Sequence, residues 1–255
     1  MTQQTLTEEQ RWIATFKPVN QPRLRLICFP YAGSGPVVFH QWPNELPQDV
    51  EVLGVRLPGR ETRLREPAFT SLSPLVATLA DVLRPFTDTP FVIFGHSMGA
   101  LIGFELVRYW RDQNGPQPVH LLVSGHRGPH RPAHHPQVHT ADKQTFLNRL
   151  KNLGGTPAQF FALDDLVDIM LPALRADFSV WETYAYEEKL PLALPITTFG
   201  GRGDSEATEA DFAAWQQHTS QDFRLHLFDG GHFYFRQDAS PLIRLIHAIV
   251  EPAKE

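Results

Sequence analysis

Short apolar runs alternate with longer amphipathic segments along most of this chain. Continuous apolar runs are typical of parallel strands that are covered on both faces, and they predict strands at residues 24–29, 51–56, 90–94, 119–124, 195–200 and 223–228. Apolar positions at helical spacing predict helices between these strands, at residues 72–83, 98–111, 211–218 and 240–250. The alternation indicates an α/β fold in which helices flank a mostly parallel central sheet.

The alternation is interrupted once, after the strand that is predicted to end near Ser124. About seventy residues separate it from the next predicted strand, far more than an ordinary connection needs. Helical patterns occur inside this stretch at residues 142–153 and 164–178, so we expect an inserted helical lid over about residues 126–190. The whole chain, 1–255, is then a single domain whose core comprises about residues 20–125 and 190–252.

Composition and charge narrow the class of protein. Of the 255 residues, 42% are hydrophobic and 20% charged, which is typical of a globular domain with a real core. The net charge of −5 argues against a dedicated nucleic-acid-binding protein. Cys28 is the only cysteine, which excludes an internal disulfide and a cysteine-based zinc cluster. No apolar run is long enough to span a bilayer and no targeting signal is recognisable, so we expect a cytoplasmic protein without membrane or nucleic-acid partners. We expect a monomer, because no exposed apolar stripe is apparent.

The strongest local motif is Gly95-His96-Ser97-Met98-Gly99, between a predicted strand and a predicted helix. Side chains at the two glycine positions would collide with the neighbouring strand and helix, and the serine occupies a strained turn that exposes its hydroxyl. This is the nucleophile elbow of the α/β-hydrolase fold in the context that it requires, so Ser97 is the candidate nucleophile. We interpret His96 as structural, because adjacent residues on a sharp turn point in different directions.

A serine hydroxyl needs a base, and in this fold the order along the chain is serine, acid, histidine. Asp204 follows the predicted strand 195–200, at the carboxyl end where α/β sites are built. Asp229 is a competing candidate, but it lies only three residues before the candidate base and could simply hold a turn. We therefore favour Asp204 as the acid.

His232 is the candidate base. It follows the last predicted strand and two glycines, Gly230 and Gly231, which free the loop to reach inward. His226 lies within a predicted strand and His247 within the last predicted helix, so both are better explained by packing or by surface exposure. Of the twelve histidines, His232 alone combines a late position with a glycine loop after a strand.

An oxyanion hole in such a site consists of two backbone N–H groups. One is expected from Met98, the residue after the nucleophile. The other is expected from the loop after the first core strand, Pro30-Tyr31-Ala32-Gly33-Ser34-Gly35, whose small residues let the backbone approach a substrate. Ala32 is our candidate for this second donor.

Taken together, these segments resemble the stand-alone type II thioesterases of polyketide and nonribosomal peptide synthesis, whose relatives include the medium-chain thioesterase that works with fatty acid synthase. The resemblance covers about residues 24–250. It is carried by Cys28-Phe29-Pro30-Tyr31-Ala32-Gly33, Leu57-Pro58-Gly59-Arg60-Glu61, Gly95-His96-Ser97-Met98-Gly99-Ala100, Leu174-Arg175-Ala176-Asp177-Phe178 and Gly230-Gly231-His232-Phe233. The Leu-Pro-Gly-Arg-Glu segment is far more specific than the serine motif.

The resemblance implies hydrolysis of acyl or aminoacyl thioesters on the phosphopantetheine arm of carrier proteins, which clears blocked or misprimed arms. The family's Ser, Asp and His map onto Ser97, Asp204 and His232. Tyr31 and Phe233, within the matching segments, are expected to bind substrate. Carrier-protein domains are the implied partners, and no metal or organic cofactor is required.

Other functions remain open. A serine esterase or peptidase acting on small free substrates, or a medium-chain fatty acyl thioesterase, would use the same fold and the same triad. A non-catalytic binding module that keeps the fold is a third alternative, against which the complete triad argues.

Two charged segments also have two interpretations each. Residues 56–65 contain four arginines, which either form local ion pairs with Glu61 and Glu66 in a solvated loop or dock acidic carrier proteins. In the second case, charge reversal at Arg63 and Arg65 would impair carrier-bound substrates more than free thioesters. Residues 126–139 are rich in His, Pro and Arg. They could bind a divalent metal, but prolines prevent a helical arrangement around His134 and His135, and we favour a mobile lid entrance instead.

Overall fold

The computed structural model describes residues 7–251 of the chain. Its central sheet has seven strands. They are β1 (Ile13–Thr15), β2 (Leu24–Phe29), β3 (Val50–Val55), β4 (Phe91–His96), β5 (His120–Ser124), β6 (Ile196–Gly201) and β7 (Phe223–Phe228). The α-helices are α1 (Glu8–Trp12), α2 (Leu72–Leu83), α3 (Met98–Asp112), α4 (Lys143–Leu153), α5 (Asp164–Glu182), α6 (Glu209–Ala213) and α7 (Ser240–Val250).

The strands lie in the order β1-β3-β2-β4-β5-β6-β7. Only β1 runs antiparallel to its neighbour, β3, and the other pairs are parallel. Helices cover the sheet as the sequence predicts, so the expected α/β-hydrolase architecture is confirmed. The hydrophobic pattern does not predict β1 or α1, which the structure contains. The predicted helix 211–218 is a short α6 followed by a 3₁₀ turn, Ala214–His218.

The apolar strands bury both of their faces. Ile27 and Phe29 of β2 pack into one layer with α2 and α3, whereas Leu26 and Cys28 pack into the opposite layer with α7. Consecutive strand residues point to opposite faces, so a sheet with helices on both sides requires apolar residues at successive positions. This explains why the strands are continuous apolar runs in the sequence.

The segment between β5 and β6 contains two helices, α4 and α5, where the sequence predicts them. It begins with an irregular stretch and forms a small apolar cluster of its own, in which Phe146 of α4 packs against Phe178 of α5 with ring centroids 5.0 Å apart. Asp142 caps α4 by accepting a hydrogen bond from the backbone N–H of Thr145. The ends of the expected domain, residues 1–6 and 252–255, lie outside the described residues.

Within residues 7–251, no helix is both long enough and apolar enough to cross a membrane.

Candidate active site

Ser97 occupies the sharp turn between β4 and α3. Its backbone has φ 54° and ψ −119°, a conformation that residues other than glycine rarely adopt. The Ser97 N–H donates a hydrogen bond of 2.7 Å to the carbonyl of Ser124, at the end of β5. A strained residue that persists at the carboxyl edge of the sheet is typical of a functional position.

Two glycines make this turn possible because the backbone passes very close to their α-carbons. A methyl group at Gly95 would lie 2.1 Å from the carbonyl oxygen of Gly99. A methyl group at Gly99 would lie 2.2 Å from the carbonyl oxygen of Phe29. Both distances are far below van der Waals contact, so any larger residue would push α3 away from β2 and β4.

His232 and Asp204 come together from the loops after β7 and β6. Nδ1 of His232 lies 2.9 Å and 3.1 Å from the two carboxylate oxygens of Asp204, and both side chains are almost fully buried. The backbone N–H of Glu206 donates to Asp204 at 2.8 Å and helps to fix the carboxylate. Because a carboxylate accepts, Nδ1 carries the proton when the ring is neutral, and Nε2 is left as an acceptor.

Ser97 and His232 line the same cavity, of about 30 Å³, together with Ala32, His126 and Glu206. Nε2 of His232 is buried and has no hydrogen-bond partner among residues 7–251. No hydrogen bond joins it to Ser97 in this part of the chain; catalytic hydrogen bonds are often long before substrate binds. The arrangement offers a nucleophile and an acceptor for its proton in one enclosed space.

The competing candidates lie elsewhere. The side chain of Asp229 is fully exposed and approaches Arg202 at 3.9 Å. His226 stacks on Phe199 within the sheet. Nδ1 of His247, in α7, donates a hydrogen bond to the carbonyl of Glu45. The geometry therefore places Asp204, and not Asp229, against His232.

His96 is fully buried beside the site but does not line its cavity. Its Nδ1 lies 2.9 Å from the hydroxyl of Ser124, which in turn contacts the hydroxyl of Tyr234. Burial, with smaller contributions from His232 and His126, holds the pKa of His96 well below its usual value. A neutral ring packed in this way fits the structural role expected for it.

The two proposed oxyanion donors flank the nucleophile. Met98 begins α3, so its N–H belongs to the first helical turn, where no carbonyl of the same helix can accept from it. Ala32 lines the cavity beside Ser97, and no residue within 7–251 accepts a hydrogen bond from its N–H. Two backbone donors thus remain available near the hydroxyl of Ser97.

Tyr31 and Phe233 form part of a larger neighbouring cavity of about 230 Å³. Their rings contact edge to face, with centroids 4.8 Å apart. The two cavities share the lining residues Ala32, Leu153 and Phe178, so the larger one adjoins the nucleophile. Most of its wall is apolar and comes from the loop after β2 and from the segment between β5 and β6.

The arginine-rich segment forms the expected local ion pairs, between Arg56 and Glu61 and between Arg63 and Glu66, but two of its arginines are buried. Arg60 and Arg63 are only 3% and 4% exposed. Arg63 pairs with Glu66 at 2.6 Å and covers the ring of Trp12, so its charge cannot meet a partner protein. The docking hypothesis is wrong for these two residues, and only Arg65 is exposed.

The histidine-rich tract, for which the sequence predicts a mobile lid entrance, is held by hydrogen bonds to α6 and α5. His134 contacts Asp211 at 2.6 Å, and His139 contacts Glu182 at 2.7 Å. Among residues 7–251, no three His, Cys, Asp or Glu side chains are arranged to hold a metal ion. His126 and Glu206 also line the cavity beside Ser97. No sequence motif indicates this position, because only the folded chain brings them there.

Comparisons with known proteins place the chain in a family. Residues 24–250 match the thioesterase domain family. Gramicidin S biosynthesis protein GrsT of Aneurinibacillus migulanus is 36% identical, over 94% of this chain and 94% of its own length. Linear gramicidin dehydrogenase LgrE of Brevibacillus parabrevis is 37% identical, over 98% of this chain and 96% of its own length.

Among solved structures, the type II thioesterase BorB from the borrelidin biosynthetic cluster superimposes with a TM-score of 0.87. It is 33% identical, and the match covers 97% of this chain and 100% of BorB. LgrE bears the name of a dehydrogenase, whereas the matched family and BorB are thioesterases. The resemblance inferred from the sequence motifs is thus confirmed, and the chain belongs to the thioesterase family.

Proposed function

We propose that this protein is a type II thioesterase that hydrolyses acyl or aminoacyl thioesters on the phosphopantetheine arm of carrier proteins. The observation that supports this most directly is the buried His232–Asp204 pair, in which His232 lines the same cavity as the strained Ser97, in a chain of the thioesterase family. The relatives' names connect them with peptide and polyketide biosynthesis, so the proposed role is to clear blocked or misprimed arms of such a synthase.

In the proposed reaction, Ser97 Oγ attacks the thioester carbonyl while its proton passes to Nε2 of His232. Asp204 holds the Nδ1–H tautomer and stabilises the imidazolium. The N–H groups of Met98 and Ala32 stabilise the tetrahedral oxyanion, and one such donor is typically worth about 10²–10³ in rate. The C–S bond then breaks, and the leaving thiolate takes the proton from His232.

Hydrolysis of the acyl-enzyme repeats these roles with water as the nucleophile. His232 takes a proton from water, which attacks the Ser97 ester, and then returns a proton to Ser97 Oγ as the carboxylic acid leaves. The overall balance is one thioester and one water converted to one acid and one thiol. No step draws on a metal or an organic cofactor; the phosphopantetheine belongs to the substrate.

The cavity that contains Tyr31 and Phe233 is the proposed site for the acyl group. Its apolar wall adjoins the proposed oxyanion donor Ala32, so a bound chain would place its carbonyl near Ser97. Residues 126–190 would then act as the lid of a single-domain monomer, supplying one side of this cavity. An acyl group in such a pocket is held mainly by the removal of apolar surface from water.

A carrier protein loaded with short acyl groups tests the proposal. Mass spectrometry would follow unloading of the arm by the wild type, Ser97→Ala, Asp204→Asn and Asp229→Asn, beside simple esters of the same acids. We expect unloading faster than ester cleavage, no unloading by Ser97→Ala, and a loss of roughly 10⁴ in kcat for Asp204→Asn because the histidine adopts the wrong tautomer. Asp229→Asn is the matched control and should behave as the wild type.

Two outcomes would contradict the proposal. Cleavage of simple esters with the carrier left loaded would assign the same triad to a small-molecule esterase. A similar loss for Asp204→Asn and Asp229→Asn would remove Asp204 from its proposed role.

A further inference from the structure

A buried ion pair joins two segments that lie 117 residues apart in the sequence. Arg60, from the turn after β3, donates to both carboxylate oxygens of Asp177 in α5, at 2.6 Å and 2.9 Å. The two side chains are 4% and 3% exposed. A bidentate pair of this kind is strong and geometrically specific, because the planar guanidinium fits the carboxylate in one orientation.

The same carboxylate also binds the loop that carries a proposed oxyanion donor. Asp177 Oδ2 accepts a hydrogen bond of 2.7 Å from the backbone N–H of Gly33, the residue after Ala32. Arg60 donates to the carbonyl of Ser34, the next residue, at 2.9 Å. One ion pair therefore holds two consecutive residues of this loop through their backbone groups.

Packing against α5 adds a second restraint on the loop. Gly33 has φ +77°, and a methyl group there would lie 2.3 Å from the side chain of Leu174, one helical turn before Asp177. The loop backbone thus passes directly under α5, with Leu174 above it and Asp177 beside it. Because Ala32 directly precedes Gly33, these contacts also restrict the backbone of Ala32.

We infer that Arg60 and Asp177 are positioning residues for the oxyanion hole. They do not touch the substrate in this arrangement; they hold the loop after β2 so that the Ala32 N–H points at the oxyanion beside Ser97. Burial favours this role, since the pair is closed to a partner protein and hydrogen-bonds to backbone groups on the catalytic side of α5. The inference rests on the proposed Ser97 chemistry, but not on the identity of the carrier.

Asp177→Asn is the informative variant. Its amide can still accept from Gly33, but it loses the second oxygen and directs an N–H₂ group at the guanidinium. We expect kcat on a free acyl thioester, such as an acyl-pantetheine, to fall about 10- to 100-fold with KM within twofold of the wild type. This partial loss is below that for complete removal of an oxyanion donor, about 10²–10³.

The affinity for a trifluoromethyl ketone distinguishes a positioning role at the oxyanion hole from a purely structural role, which would leave this affinity unchanged. Ser97 Oγ adds to the ketone carbon, its proton passes to His232, and the resulting oxyanion requires the same donors as the transition state. The affinity for the ketone should therefore fall by the same factor as kcat/KM. Weakened ketone binding with unchanged KM would locate the defect at the oxyanion.

Glu182→Gln is the matched control. Glu182 lies on the same helix, is also buried, and accepts hydrogen bonds from the backbone N–H groups of Val138 and His139 at 2.9–3.0 Å. It holds the tract before α4 and not the loop after β2. We expect a lower thermal midpoint for this variant, comparable to that of Asp177→Asn, with kcat and ketone affinity near those of the wild type.

Equal losses of kcat in Asp177→Asn and Glu182→Gln would overturn the inference, and so would a defect of Asp177→Asn confined to KM or to stability. If Asp177→Asn does not fold, Arg60→Lys gives the same test, because lysine keeps the charge but cannot bind in a bidentate manner. Failure of the proposed function is recognised separately, since Ser97→Ala would then leave thioester cleavage and ketone binding intact.

Discussion

At the scale of single residues, Ser97 and Gly230 both have positive φ, for different reasons. Ser97 adopts φ 54° although it has a side chain, and the strain exposes its hydroxyl at the edge of the sheet. Gly230 adopts φ +118°, which only glycine tolerates readily, and precedes the proposed base by two residues. Gly231 does not have positive φ, and a methyl group there would meet its nearest neighbour at 3.6 Å.

This difference in φ predicts that substitution by alanine has a large effect at Gly230 and little effect at Gly231. Gly230→Ala should destabilise the fold by about 1–3 kcal/mol and lower kcat, because the loop must rotate away from the conformation that presents His232. Gly231→Ala should leave stability within about 0.5 kcal/mol of the wild type, since its methyl group fits. Urea unfolding and kcat on an acyl thioester check both; equal behaviour of the two variants would show that the φ value is not the determining feature.

Among single residues, the sequence was sufficient to nominate Ser97, Asp204 and His232 as a proposed triad, because each follows a strand at the carboxyl edge. The sequence could not show which arginines of residues 56–65 are buried. Arg60 and Arg63 occur in a polar, charged segment that is typical of an exposed loop. In the structure, Asp177 covers the guanidinium of Arg60, and Glu66 and Trp12 cover that of Arg63. The contacts of Arg60 with Asp177 and of Arg63 with Trp12 join residues far apart in the chain, and such contacts leave no periodic trace in a single sequence.

At the scale of elements, the best predictions were those whose ends carry a local signal. The limits of β2, β7, α2 and α7 agree with the prediction to the residue. The three-residue strand β1 could not be predicted from the sequence, because it is too short to show alternation. Its antiparallel pairing with β3 holds it at the sheet edge. Helix α5 continues to Glu182, beyond the predicted end at residue 178, and the side chain of Glu182 accepts a hydrogen bond from the backbone N–H of His139.

The short helix α6 depends on Asp211, which is 1% exposed. Its carboxylate accepts from the backbone N–H and the hydroxyl of Thr208 at the start of the helix, and from Arg131 and His134 of the histidine-rich tract. Burial alone would raise the pKa of Asp211, but these hydrogen bonds outweigh it and hold the pKa well below 3.8. One side chain thus attaches the histidine-rich tract to α6.

Asp211→Asn should therefore lower the free energy of unfolding at pH 7 by about 1–3 kcal/mol, through loss of charge-assisted hydrogen bonds. Because the folded-state pKa is depressed, this advantage of the wild type is complete above the unfolded-state pKa and declines as the pH falls below it. Denaturant titrations at pH 7 and pH 3, above and below the unfolded-state pKa of about 3.9, measure the difference. The exposed Asp229→Asn is the control, and a similar loss there would contradict the argument.

At the scale of the whole molecule, several histidines are folded in the neutral state. Burial lowers the pKa of His126 to about 3, with Arg127 and His232 adding to the shift. Burial likewise lowers the pKa of His120 and of His218 to about 4. The unfolded chain binds protons at these positions below about pH 6.5, whereas the folded chain does not. Stability must then decrease as the pH falls from 6.5 toward 4.

His126→Asn tests this acid sensitivity. The asparagine amide can replace Nδ1–H as the donor to the carbonyl of Arg127, at 2.6 Å in the wild type, but it does not titrate. Between pH 7 and pH 5, one such histidine contributes about 2 kcal/mol to the loss of stability, so the variant should lose that much less than the wild type. Urea midpoints at the two pH values provide the measurement, and parallel losses would show that His126 is protonated in the fold.

The position of Asp177 on α5 has a consequence for any attempt to recombine this enzyme with its relatives. If α5 holds the loop after β2, then residues 126–190 are not an exchangeable cover over a finished catalytic centre. A chimera that imports this segment inherits its pocket wall and also the anchor of the host's oxyanion loop. Such a graft should be active only where the donor carries an acidic residue in register with the host's Arg60, whatever acyl group its pocket admits.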